Sequence, residues 1–173
     1  SSLILQSQNM KTIILSIFFS VCLVIGLQAQ NKYSDVILSY AKKSADAQLA
    51  LNIDEYLNYM HPNIIEMGGG KDLAKQAVQQ QLNTYKSMNV DVVSITHIGP
   101  GPLVQAGSEL HCIVPATTKL AQGDAEFDSV NNWLAISSDD GQSWAFVDMS
   151  YYDANSLKIY LPDYNSALVY PQN

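Results

Sequence analysis

At Asn89 the chain changes texture, and that change restricts the available folds more than any other feature. Before it, apolar residues recur at helical spacing. Val36, Ile37, Tyr40, Ala41, Ala47 and Leu51 mark one amphipathic helix over 33–51, with lysines between them. In "NIDEYLNYMHP", Asn52 or Asp54 is placed to cap a second helix, and Pro62 is expected to end it at His61. Three glycines, Gly68 to Gly70, break the chain before a third helix marked by Leu73, Ala77, Val78, Leu82 and Tyr85. After Asn89 come β-branched and alternating runs: "VDVVSITHI", "ELHCIVPATTKLA", "DSVNNWLAIS" and "SWAFVDMSYY". "GPGP" reads as a loop, and Pro115 as a bend or bulge in the long strand. The tail "SLKIYLPDYNSALVYP" reads as a short helical turn ended by Pro162, then a closing segment. Helices first and antiparallel strands after predict an α+β fold.

The domain is expected to span 30–173. Residues 10–29 have the order of a secretory signal: Lys11, an apolar run from Ile13 to Ile25, then small or polar residues up to a cut after Ala29. The apolar run falls short of the roughly 18 residues that a membrane anchor needs. Val21 beside Cys22 does not suit a lipid-attachment cysteine. Residues 1–9 precede Met10 and read as upstream sequence rather than structure. Export to the periplasm or the medium is expected, with no membrane association after cleavage.

Beyond the leader the single cysteine is Cys112, so no intramolecular disulfide can form there. It lies in the apolar run "LHCIV" and is expected to be a buried, inert thiol. The chain has 16 acidic residues against 9 basic ones, all nine of them Lys. Such a surface repels nucleic acid. Without Arg there is no bidentate clamp for carboxylate or phosphate groups, which disfavours anionic ligands. His61, His97 and His111 lack metal-ligand spacing, and "GGGK" lacks the spacing of a phosphate loop, so no metal or cofactor is expected.

One short motif invites a sharper reading. Ser137, Asp139, Gly141, Ser143 and Trp144 fit S-x-D-x-G-x-[ST]-W, the Asp-box of sialidase propellers. A propeller needs several boxes at blade spacing, and this chain has one and no Arg cluster. The box is expected to be a stapled β-turn and nothing more.

Helices followed by a curved antiparallel sheet, the helix–glycine–helix segment "NIDEYLNYMHPNIIEMGGGKDLAKQAV" and a last strand "WAFVD" together resemble the nuclear transport factor 2-like superfamily, which includes SnoaL-like and ketosteroid isomerase-like proteins. The resemblance spans nearly the whole of 30–173 and is closest to secreted bacterial members. It implies helices packed on a strongly curved antiparallel sheet, a cystatin-like cone enclosing a pocket. Some members of the family isomerise, dehydrate or cyclise a substrate with an Asp, His or Tyr. Others bind a ligand without chemistry, or hold partners together.

Period two puts Trp144, Phe146 and Asp148 on one face of the last strand. If that face lines the pocket, Trp144 and Phe146 contact a ligand and Asp148 is the candidate acid or base. The plainer reading is that Asp148 caps the following turn. Tyr56 and Tyr59, three apart and able to share a helix face, and His61 are further candidates for the pocket; a helix Tyr also serves as core with a wet hydroxyl. On the long strand Leu110, Cys112 and Val114 make the more apolar face, so His111 is expected to point outward, to solvent or a dimer partner. The functional expectation is non-catalytic binding of a small apolar or neutral molecule, or of a protein partner, with a homodimer through the sheet as one form of partner. The alternative is a SnoaL or ketosteroid isomerase type of lyase or isomerase using Asp148.

Overall fold

The computed structural model describes residues 32–165 and 167–168. The leader expected over 10–29, and residues 1–9, lie outside them. The chain divides into two units, Ser1–Tyr33 and Ser34–Asn173; of the first, Lys32 and Tyr33 alone are described. The fold is α+β, with helices N-terminal to a strongly curved antiparallel sheet. Among the described residues no helix is long and apolar enough to cross a membrane.

Helix α1 covers residues 32–49. Ile37, Ala41, Ser44 and Ala45 form its buried stripe. The helix stops short of Leu51, which is exposed and left-handed at φ 54°. Helix α2 (Ile53–Leu57) is capped by Asn52, whose side chain accepts from the Glu55 N–H. Pro62 does not end α2 but opens a further helix, α3 (Pro62–Met67), with His61 as its N-cap. A proline at the first helical position loses no bond, because that N–H has no partner within the helix. Gly69 and Gly70 then take φ near +97° and +94°, a reversal that only glycine makes cheaply, and α4 (Lys71–Ser87) follows. Asn89 itself is left-handed at φ 51°, a conformation Asn tolerates, and turns the chain from α4 into the first strand.

The strands are β1 (Val90–His97), β2 (Val104–Ala106), β3 (Glu109–Gln122), β4 (Ala125–Ser137) and β5 (Ala145–Asp148). The sheet runs β1-β3-β4-β5, and β2 pairs with β3 beyond the end of β1. The bulge lies in β1 between Val92 and Ser94, not at Pro115. Pro115 sits in unbroken register with Asn132 of β4. Its carbonyl accepts from the Ile98 N–H on the other side, just past the last β1 pair. The bond that proline cannot donate would point to the gap where β1 has ended and β2 has not begun, so a central strand tolerates it.

Strand β5 pairs with Trp133–Ile136 of β4, and on its other side Met60 makes a parallel bridge to Phe146. The first half of β4, residues 125–132, has no strand on that side among the described residues. There Lys119 of β3 reaches Glu126 at 3.5 Å and Asp128 at 3.4 Å. After β5 a 3-10 turn (Met149–Tyr151) leads to α5 (Ala154–Tyr160), capped by Asp153 and followed by Leu161 and Pro162.

Both faces of the sheet are covered around β3, β4 and β5. On one, Ile113, Leu134, Ile136 and Val147 pack with Ile64 of α3 and with Leu157, Leu161, Tyr164 and Leu168 of the C-terminal segment. His111 shares that face by alternation and is fully buried, so it does not point outward as the sequence suggested. On the other face Cys112, Val114, Ala116, Trp133, Ala135 and Phe146 are buried. Burial in these apolar surroundings raises the Cys112 thiol to about 12, which keeps it protonated and inert.

Candidate functional site

Register across the sheet determines which polar groups meet. Phe146, Ala135 and Cys112 form one row of neighbours; Asp148, Trp133 and Val114 form the next; Asn131, Ala116 and His97 form the third. All nine side chains share a face, because directly opposed residues point the same way. The His97 ring meets Trp133 edge-on at 4.6 Å, and Trp133 meets Phe146 at 5.6 Å. Asn131 Nδ2 donates to Asp148 Oδ2 at 2.8 Å, and the Ser150 N–H donates to Oδ1 at 2.9 Å. Asp148 is therefore both on the aromatic face and the cap of the 3-10 turn.

Burial governs the ionisation of this face. His97 is held down to about 4 by desolvation alone, so it is neutral at pH 7. Tyr56 of α2 has its phenol pushed far up, first by burial and then by the charge of Asp148, with smaller contributions from Tyr151 and Tyr152. Two buried atoms on the face lack an intramolecular hydrogen bond, His97 Nε2 and Asn131 Oδ1. On α1, Ser44 Oγ and Gln48 Nε2, one turn apart, are in the same condition.

The other candidates lie elsewhere. Tyr59 falls beyond the end of α2 and does not share an environment with Tyr56. Its hydroxyl donates to Glu55 Oε1 at 3.0 Å and its ring meets Tyr40 edge-on. Trp144 is buried, its indole N–H donating to the Gly141 carbonyl at 3.1 Å. Trp144 and His61 both line a separate groove of about 400 Å³ with Tyr40, Asn58 and Glu109. His61 is nearly buried, and its Nδ1 accepts from the Asn63 N–H at 3.3 Å. Among the described residues no group of three His, Cys, Asp or Glu is placed to hold a metal ion.

The Asp-box is a staple. Asp139 Oδ1 accepts from the N–H groups of Gln142 and Ser143 and from Ser137 Oγ, while Oδ2 takes the Ser143 hydroxyl at 2.6 Å. These donors, with the Ser143 hydroxyl foremost, lower Asp139 to about 2. Asp140 and Gly141 supply the positive φ of the turn.

No protein-family model, curated protein or solved structure matches this chain. The functional reading therefore rests on the residues themselves. Sequence reasoning passed over Asn131, Trp133 and Glu109, and noticed His97 only for its lack of metal spacing. Alternation along "NNWLAIS" would have put Asn131 beside Trp133. Only the register through β3 brings His97 to them.

Proposed function

We propose that this chain is an exported, nuclear transport factor 2-like domain that binds a small, neutral, largely apolar molecule on the Trp133 face without transforming it. The observation that carries this reading is the pairing of an aromatic surface (His97, Trp133, Phe146) with the unpartnered buried atoms His97 Nε2 and Asn131 Oδ1. Buried polar atoms are almost always hydrogen-bonded, so two on one apolar face suit a ligand bearing a hydroxyl group, which can donate to Asn131 Oδ1. A neutral His97 and the absence of Arg fit an uncharged partner.

A second reading, a lyase or isomerase with Asp148 as acid or base, draws on the shared surroundings of Asp148 and Tyr56. It is the weaker one, because both Asp148 oxygens already accept bonds from Asn131 and Ser150.

The test is fluorescence titration of a Trp144→Phe variant, in which Trp133 is the sole reporter, with a panel of uncharged aromatic alcohols. Saturable quenching that weakens about tenfold in Asn131→Leu is expected, as for loss of one buried hydrogen bond. Quenching that is linear, or indifferent to Asn131, would sink the proposal.

A further inference from the structure

The groove beside His61 is distinct from the Trp133 face. Its volume of about 400 Å³ suits a small molecule. Three segments build it: α1 at Tyr40, the α2–α3 connection from Asn58 to Asn63, and the ends of the β4–β5 hairpin at Ser138 and Trp144. Glu109 of β3 also lines it, and is the one lining residue of acidic or Lys type.

Among the described residues, the groups facing the Glu109 carboxylate are two histidines and no lysine. Its side chain is 20% exposed. Oε2 accepts from His111 Nε2 at 3.0 Å, which leaves His111 Nδ1 as the unpaired ring atom. Oε1 lies 3.6 Å from His61 Nε2, longer than a hydrogen bond. His61 accepts a backbone N–H at Nδ1, so its proton sits on Nε2. Burial lowers the pKa of that ring against the opposing pull of Glu109, and the ring stays neutral. Lys43, close by in sequence to Tyr40, stands over the Tyr40 ring at 5.1 Å and makes no ion pair with Glu109. A largely buried carboxylate with one oxygen still able to accept, and no lysine paired with it among the described residues, is a receptor for positive charge. The net charge of −7 on the whole chain draws cations toward it.

We propose that this groove binds a small organic molecule through a protonated amine, Glu109 Oε1 accepting from the ammonium group while Met60, Ile136 and Trp144 take the hydrocarbon part. The site is independent of the ligand proposed for the Trp133 face.

Three probes of one shape test it by titration calorimetry at pH 7.5: 2-phenylethylammonium, 2-phenylethanol and 3-phenylpropionate. The ammonium is expected to bind at least about tenfold more tightly than the alcohol, and the carboxylate more weakly than either. Glu109→Gln keeps an acceptor for His111 and removes the charge, so it should bring ammonium and alcohol to equal affinity. Equal binding of the two by the wild-type protein, failure of the ammonium to bind, or a preference that survives Glu109→Gln would each overturn the proposal. If Glu109→Gln does not fold, the imidazole resonances of the wild-type protein decide. The ammonium must then shift His61 and leave His97 in place, and the reverse pattern refutes the site.

Discussion

The N–H of His61 donates to the carbonyl oxygen of Phe146 at 3.2 Å, and the Phe146 N–H donates in turn to the Tyr59 carbonyl at 2.7 Å. The Phe146 side chain lies on the Trp133 face, whereas His61 lines the groove. One pair of backbone bonds thus joins the two candidate sites through the edge of β5.

Phe146→Ala is expected to cost about 3–5 kcal/mol of stability, as for truncating a buried aromatic residue. It should also move the His61 imidazole resonance, because β5 holds both. Urea denaturation gives the first quantity and a proton NMR spectrum the second. Phe146→Leu keeps most of the volume and should leave His61 where it is.

His97 makes stability depend on pH. Its folded pKa of about 4 lies below the unfolded value near 6.5. Between those values the unfolded chain binds the proton and the folded one does not, so stability falls as pH drops from about 6.5 to about 4. The melting temperature should decline over that window in the wild-type protein and decline less in His97→Phe. An NMR midpoint for His97 above 6 would contradict the burial argument.

Asp139 acts in a lower window. Its folded pKa of about 2 lies below the unfolded value near 3.9, so its stabilisation is complete above pH 4 and is lost as pH falls toward 2. Asp139→Ala removes the acceptor for two N–H groups and two hydroxyls and should lower the melting temperature at pH 7 by a few degrees. Affinity for the ligand of the Trp133 face should not change. A loss of binding at an unchanged melting temperature would contradict the purely structural role of the turn.

Asp148→Asn distinguishes binding from catalysis. An Asn side chain can still accept from the Ser150 N–H, and an amide flip of Asn131 restores the second bond while turning its Nδ2 toward the ligand, where a hydroxyl group can accept as readily as it donates. The variant should fold and keep most of its affinity for a neutral ligand. Any turnover by the wild-type protein that falls a hundredfold or more in the variant would favour the lyase or isomerase reading.

The elements were legible because each wrote its own period. The helical stripe of Ile37 and Ala41, the β-branched runs after Asn89 and the turn around Asp139 are local signals, and each element formed where its signal stood. Helix α3 was hidden because Pro62 serves equally as a stop and as a first residue; His61, able to cap with Nδ1, decided it. Alternation showed which side chains share a face but not what covers that face. The face that His111 shares with Ile113 and Ile136 is covered where Leu157, Leu161 and Leu168 return from later in the chain, a long-range event with no local trace. The polar group on the Trp133 face arises likewise, from three strands whose register is written in no single segment.

The half of β4 that has no neighbouring strand among the described residues bears on how these molecules behave when crowded together. A row of unsatisfied N–H and C=O groups is a template on which another copy could assemble, strand against strand, into a fibril. Glu126 and Asp128 stand along that row, and Lys119 serves both from the strand behind. A second copy brought up to the same edge would meet its own carboxylates. Charges set along an open edge are the device by which natural sheets resist such growth, and this acidic pair, tied to Lys119, stands where that device is needed.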